Sequence, residues 1–132
     1  MTDRPPEAAP IFRSDRPDEL ALRDAALAYP ESYEDHPWGE RAVKVRRKAF
    51  CFISSVDGVL RITVKLPESN IYAAMQPYAE PAGYNLGRAG WVTASFGPDD
   101  PVPHHILRDW IDESYRAIAP KRLVAQLAGR GP

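Results

Sequence analysis

The sequence is short of cysteine, of net charge and of long apolar runs. Cys51 is the only cysteine among 132 residues. That excludes an internal disulfide and a cysteine-rich zinc site, and it suits a reducing compartment. No apolar stretch approaches the roughly 18–20 residues that cross a bilayer as a helix. Lys and Arg number 17 against 18 Asp and Glu, a net charge of −1. Such a balance argues against a protein that coats nucleic acid over its whole surface and leaves room for one basic face. The stretch from Met1 to Arg13 is charged and carries Pro5, Pro6 and Pro10. It has no hydrophobic core of a secretion signal, so the chain is expected to be cytoplasmic, with no membrane partner.

What is present reads as one α+β domain. Residues 1–14 read as a flexible tail, residues 15–120 as the domain and residues 121–132 as a C-terminal extension. Pro17-Asp18-Glu19 opens a helix running to about Tyr29, with proline in the first turn and acids at the positive end. Leu20, Leu27 and the alanines are its expected apolar face, and Pro30 stops it. Ala42 to Val45 reads as a strand with Val43 and Val45 on one face, followed by a turn at Arg46-Arg47. Ala49 to Ser54 is a nearly continuous apolar strand, and Asp57-Gly58 is a hairpin signature. From Leu60 to Leu66 the alternation is clean: Leu60, Ile62, Val64 and Leu66 face one way, Arg61, Thr63 and Lys65 the other. A short helix is expected over about Glu68 to Gln76, with Ile71, Tyr72 and Met75 inward, then a strand from Trp91 to Phe96. The longest helix starts at Pro103 and repeats Ile106, Leu107, Trp110, Ile111, Ser114, Tyr115 and Ile118 at helical spacing up to Pro120. Hairpins beside helices imply an antiparallel sheet with helices on one face and the other face open.

A helix, then "YEDHPWG", "VKVRRKAFCFIS", "ITVKLP", "GYNLGRAGWVTASF" and "PHHILRDWIDESY" follow one another in this order. Over about Asp18 to Ile118 the chain resembles the MmcQ/YjbR family, whose fold is related to that of CyaY and frataxin. The more specific pieces are the pattern ending at Phe50, the pair Arg88 and Trp91, and Ile111 to Tyr115. The resemblance implies two α-β-β units sharing one antiparallel sheet. It also implies a double-wing shape on whose strength members are described as DNA-binding. Arg46-Arg47 stands where the family often has a small pair in that hairpin, so the tip here is basic and favours an anionic partner.

The glycine-rich run is spaced G-x-x-x-G-x-x-G and leads into a strand. A P-loop or a dinucleotide fingerprint would lead into a helix, so the run reads as a bend that delivers Trp91 to the sheet. Trp91 then lies on the open face near Lys44, Arg61 and Lys65, either capping the sheet edge or stacking a base while the cations hold phosphate. Lys44, Arg46, Arg47 and Lys48 are either a solvated hairpin tip or a wing on the DNA backbone. His36, His104 and His105 have no chelating spacing, and the two adjacent ones belong to a first helical turn in solvent. Asp109 and Glu113, one helical turn apart, could hold a hard cation weakly. No nucleophile stands beside a base, Cys51 is expected to be buried and inert, and Ser114 and Tyr115 have hydrogen-bonding roles.

The expectation is a non-enzymatic DNA-binding protein with no cofactor and no metal ligands, favoured as a monomer. Lys44, Arg46, Arg47 and Lys48 would meet phosphate, and Arg61, Lys65, Arg88 and Trp91 would form a second patch. The alternatives are a protein- or small-ligand-binding module using the open sheet face, and frataxin-like metal handling.

Overall fold

A computed structural model describes residues 16–36, 40–83 and 85–128. The tail expected over residues 1–14 and the last four residues of the expected C-terminal extension lie outside them. In chain order come α1 (Pro17–Leu27), β1 (Ser32–Asp35), β2 (Arg41–Val45), β3 (Lys48–Val56) and β4 (Val59–Lys65). Then follow α2 (Asn70–Ala74), β5 (Ala79–Pro81), a 3-10 turn (Leu86–Ala89), β6 (Trp91–Phe96), α3 (His104–Ile118) and α4 (Lys121–Ala128). The six strands form one sheet in the order β1-β2-β3-β4-β6-β5, with every neighbouring pair antiparallel. Helices α1 and α3 pack on each other and on one face of the sheet. The fold is the expected α+β type, and a helix followed by strands occurs twice.

The core follows from the alternation in β4. Leu60, Ile62 and Val64, continued by Leu66, are fully buried, and each contributes roughly 1.5–3 kcal/mol by leaving water. Beside them Val92, Ala94 and Phe96 of β6 point the same way. Opposite lie Leu107, Trp110, Ile111 and Tyr115 of α3. Leu123 of α4 is also fully buried.

A bulge accounts for the unbroken apolar run in β3. Val43 pairs with Cys51 but Lys44 pairs with Ala49, so Phe50 has no partner on β2. The extra residue turns Phe50 and Cys51 to the same side, and both are fully buried. Phe50 meets Tyr115 edge-on with centroids 5.1 Å apart, and Tyr29 completes the cluster 4.7 Å from Tyr115. Ser114 serves the backbone just beyond the last β3–β4 pair. Its hydroxyl donates to the Phe50 carbonyl and accepts the Lys65 N–H at 2.9 Å. Tyr115 donates to the Pro30 carbonyl at 2.9 Å.

Four expectations change. Strands β1 and β5 carry no apolar alternation and escaped the pattern; they are the short edges of the sheet, and Pro81 at one edge lacks the donor an interior strand needs. The inner face of α2 is Ala73 rather than Ile71, Tyr72 and Met75, which are 77%, 73% and 73% exposed. This helix is only five residues long. Its orientation is set by polar anchors: Glu113 accepts from the Glu68 and Ser69 N–H groups and the Ser69 hydroxyl, and Asn70 donates to the Leu66 carbonyl. His104 is not free in solvent, because its Nε2 lies 2.6 Å from Asp18 on α1 and holds that carboxyl below its usual range.

The fourth change concerns α1, whose buried face is Glu19, Leu22 and Ala26. Glu19 is fully buried and meets Arg41 of β2, itself 5% exposed, at 3.1 Å. The second Glu19 oxygen accepts from the Ser55 hydroxyl of β3, and Arg41 also donates to Glu34 of β1. One carboxylate thus ties the helix to β2 and β3, and through Arg41 to β1. Glu19→Ala is expected to lower folding stability by about 3–5 kcal/mol, because it leaves a buried guanidinium without one of its anions. Asp24→Ala on the exposed face should stay within about 0.5 kcal/mol. Urea midpoints at unchanged m-value check both.

Candidate functional site

The face of the sheet away from α1 and α3 is built in rows by the strand register. One row runs Asp35, Ala42, Phe52, Thr63, Thr93 and Glu80 across all six strands. Beside it, towards the Asp57-Gly58 turn, Ser54, Arg61 and Ser95 are aligned. On the other side Tyr33, Lys44 and Ala49 are matched, and Lys65 is matched with Trp91. Phe52 lies on this face because the bulge restores ordinary alternation after Cys51. Its ring is 5.9 Å from that of Trp91.

This face is concave. A groove of about 590 Å³ has Phe52, Ser54, Arg61, Thr63 and Thr93 for its floor. Glu40 forms one wall, and Ala82, Gly83 and Leu86 form the other. The hydroxyls of Thr63 and Thr93 are hydrogen-bonded at 2.8 Å. Burial raises the pKa of Glu40.

The glycine-rich run builds the second wall. Ala82 donates to the Trp91 carbonyl at 2.9 Å and accepts from the Gly87 N–H at 3.1 Å. Gly87 sits so close to Pro81 that a Cβ would stand 2.9 Å from its side chain. Gly90 has φ +91°, and its carbonyl accepts the Leu66 N–H at 2.8 Å. The run is therefore a 3-10 turn folded against the sheet edge that feeds Trp91 into β6, and no helix N-terminus follows it.

The eight candidate cation and stacking residues divide into groups. Lys44 is bound to Asp35 at 2.8 Å and holds that carboxyl below its usual range. Arg46 reaches Glu31 at 3.3 Å, and its carbonyl accepts from the Tyr33 hydroxyl. Arg47 and Lys48 are exposed. Strand β3 starts from this turn and pairs Cys51 with Val64, so the basic tip stands at the end of the sheet that carries Lys65 and half-buried Trp91. Arg61 lies four residues back along β4, about 13 Å away, on the groove floor. Arg88 is exposed on the 3-10 turn. None of Arg47, Lys48, Arg61, Lys65 and Arg88 has a salt bridge among the described residues.

Glu40, Phe52 and Leu86 were missed as site residues in the sequence. Phe52 is hidden in an apolar run whose bulge no single-strand pattern reveals. Glu40 and Leu86 sit in connections, and no local pattern points them at a sheet. Other candidates are accounted for. Cys51 is fully buried, and burial drives its thiol pKa far above the usual range. Glu113 is engaged at the start of α2, and the described residues hold no group of three His, Cys, Asp or Glu that could ligate a metal. No helix among them is long and apolar enough to cross a membrane.

The family model described as YjbR matches residues 27–117. Among solved structures, the chain is similar to the Deinococcus radiodurans protein DR2400, with the family-model domain DUF419. That match has 25% identity and a TM-score of 0.59, covering 73% of this chain and 74% of that one. A Pseudomonas syringae protein aligns at 18% identity and the same TM-score of 0.59, covering 74% of this chain and 96% of that one. No curated protein matches.

Two substitutions test the wall of the groove. Gly90→Ala is expected to lose about 1–2 kcal/mol, since alanine resists positive φ. At Gly83, where nothing lies within 4 Å and φ is not positive, Gly83→Ala should be neutral or stabilising by up to about 1 kcal/mol. Thermal or urea unfolding of the two variants measures the contrast.

Proposed function

The chain belongs to the YjbR family, and from that footing we propose that it binds DNA without catalysis, along the sheet end that carries the β2–β3 hairpin. Arg47, Lys48 and Lys65 hold phosphates, with Arg46 and Lys44 adding charge from their ion pairs. Trp91 stacks an unpaired base. The observation that carries this reading is the placement of three cations, without salt bridges among the described residues, at the same end of the sheet as a partly exposed tryptophan.

Unpaired cations gain most from an anion that releases condensed counterions, as a nucleic-acid backbone does. An indole face accepts any base, so the contact is strong and tolerant of sequence. The long helix α3 keeps Trp110, Ile111 and Tyr115 against the core, and no described helix is basic enough to read a major groove. The geometry therefore favours single-stranded or unpaired DNA over intact duplex. A binding role is supported by the state of the obvious nucleophiles: Cys51 is sealed in the core, and Ser114 and Tyr115 are committed to backbone carbonyls.

Fluorescence anisotropy with a labelled oligothymidine and a duplex, at several salt concentrations, tests the proposal. Single-stranded affinity should fall with salt, with a log–log slope of about −0.7 for each phosphate neutralised. Arg47→Ala with Lys48→Ala should flatten that slope by about 1.4 at unchanged melting temperature. Trp91→Ala should cost about 1–3 kcal/mol of binding at an unchanged slope. Absence of binding at low salt, or binding indifferent to salt, would overturn the reading.

A further inference from the structure

The groove on the open face holds two opposite charges that do not meet. Glu40 directly precedes Arg41, whose partner on β3 is Ile53, so Glu40 is level with Ser54; Ser54 in turn pairs with Arg61. Glu40 and Arg61 thus face each other across β3, about 10 Å apart at the backbone by two strand spacings. Neither side chain has an ion pair or hydrogen bond among the described residues. Between them the floor offers the Phe52 ring and the Ser54 hydroxyl, and Leu86 overhangs from the far wall at 39% exposure.

We propose that this groove binds a guanine nucleotide, with the base on Phe52, its Watson–Crick edge on the Glu40 carboxylate and its phosphate on Arg61. A carboxylate has two acceptor oxygens and no donor. Of the nucleobases, guanine alone presents two adjacent N–H donors on that edge, at N1 and N2, and so matches both oxygens. Adenine, cytosine and thymine each set an acceptor beside their donor, which a carboxylate repels. Arg61 supplies the planar fork that pairs with phosphate oxygens. An aromatic floor under a ring with hydrogen bonds at its edge is the ordinary way an unstacked base is held. The same chemistry can come from a free mononucleotide or from an unpaired guanine in a strand; only the second source rests on the DNA reading above.

Titration of the whole chain with guanosine, adenosine and cytidine 5′-monophosphates, followed by calorimetry and by amide NMR shifts, tests the site. Guanosine monophosphate should saturate, shift Thr63, Thr93 and Gly83, and bind about tenfold or more tightly than the other two. Glu40→Gln replaces one acceptor by a donor and should abolish that preference, whereas Arg61→Met should weaken all three nucleotides. Arg47→Ala with Lys48→Ala should leave mononucleotide binding unchanged. Melting curves accompany each variant, and Phe52→Leu, which keeps an apolar floor but removes the ring, serves if Glu40→Gln fails to fold; it too should lose the nucleotide. A second arm compares oligothymidine with the same strand carrying one central guanine. Tighter binding of the guanine strand, lost in Glu40→Gln, identifies the strand as the source; a response to the mononucleotide alone identifies the free nucleotide. No saturation in the millimolar range, or equal affinity for the three nucleotides, overturns the proposal. Salt-dependent binding of oligothymidine would then still stand, so the two readings fail separately.

Discussion

The buried pair of Glu19 and Arg41 is the constraint on which the rest of the structure depends. An unpaired charge in that position would cost several kcal/mol, so the two side chains must meet once the core closes. Their meeting fixes the height and rotation of α1 over the sheet, because Glu19 also takes the Ser55 hydroxyl and Arg41 also takes Glu34. Leu22 and Ala26 then have only one way to enter the core. A purely apolar helix face could slide by a turn with little penalty; this one cannot without stranding a charge.

A second polar device works in the middle of the sheet. The bulge at Phe50 gives the aromatic cluster its extra ring, and Ser114 serves from α3 the backbone groups just beyond the last β3–β4 pair. The same bulge sets the phase of everything after it in β3. Cys51 and Ile53 go inward, Phe52 and Ser54 outward. The aromatic floor of the open face is thus a consequence of how the core behind it is filled. The basic hairpin tip and the groove consequently occupy different ends of one surface, with Phe52 and Trp91 in contact between them.

Much of this was legible in the residues. The run from Leu60 to Leu66, the Asp57-Gly58 turn, the strand Trp91–Phe96 and the stripe along α3 need only period-two or period-3.6 patterning, and the structure follows them closely. Open-face positions for Arg61, Lys65 and Trp91 follow from the same alternation. Less was legible where polar contacts outrank pattern. Ile71, Tyr72 and Met75 look like an inner stripe, yet α2 is oriented by Glu113 and Asn70, and Ala73 is the residue that enters the core. Glu19 fits an ordinary acid near a helix start, and only the arrival of Arg41 from another element makes it a core residue.

By itself the sequence determined the element order, the hydrophobic side of the main strands and of α3, the basic character of the hairpin turn and the family. These rest on neighbours a few residues apart, where chain geometry alone decides which side chains share a face. Only the tertiary structure decided which charges are buried, which are paired and which face one another. Glu19 meets Arg41 over 22 residues, and Glu40 faces Arg61 over 21, in the first case as a closed pair and in the second as an open one. Electrostatic energy depends on distance and burial in space, and strand register, not proximity along the chain, sets both.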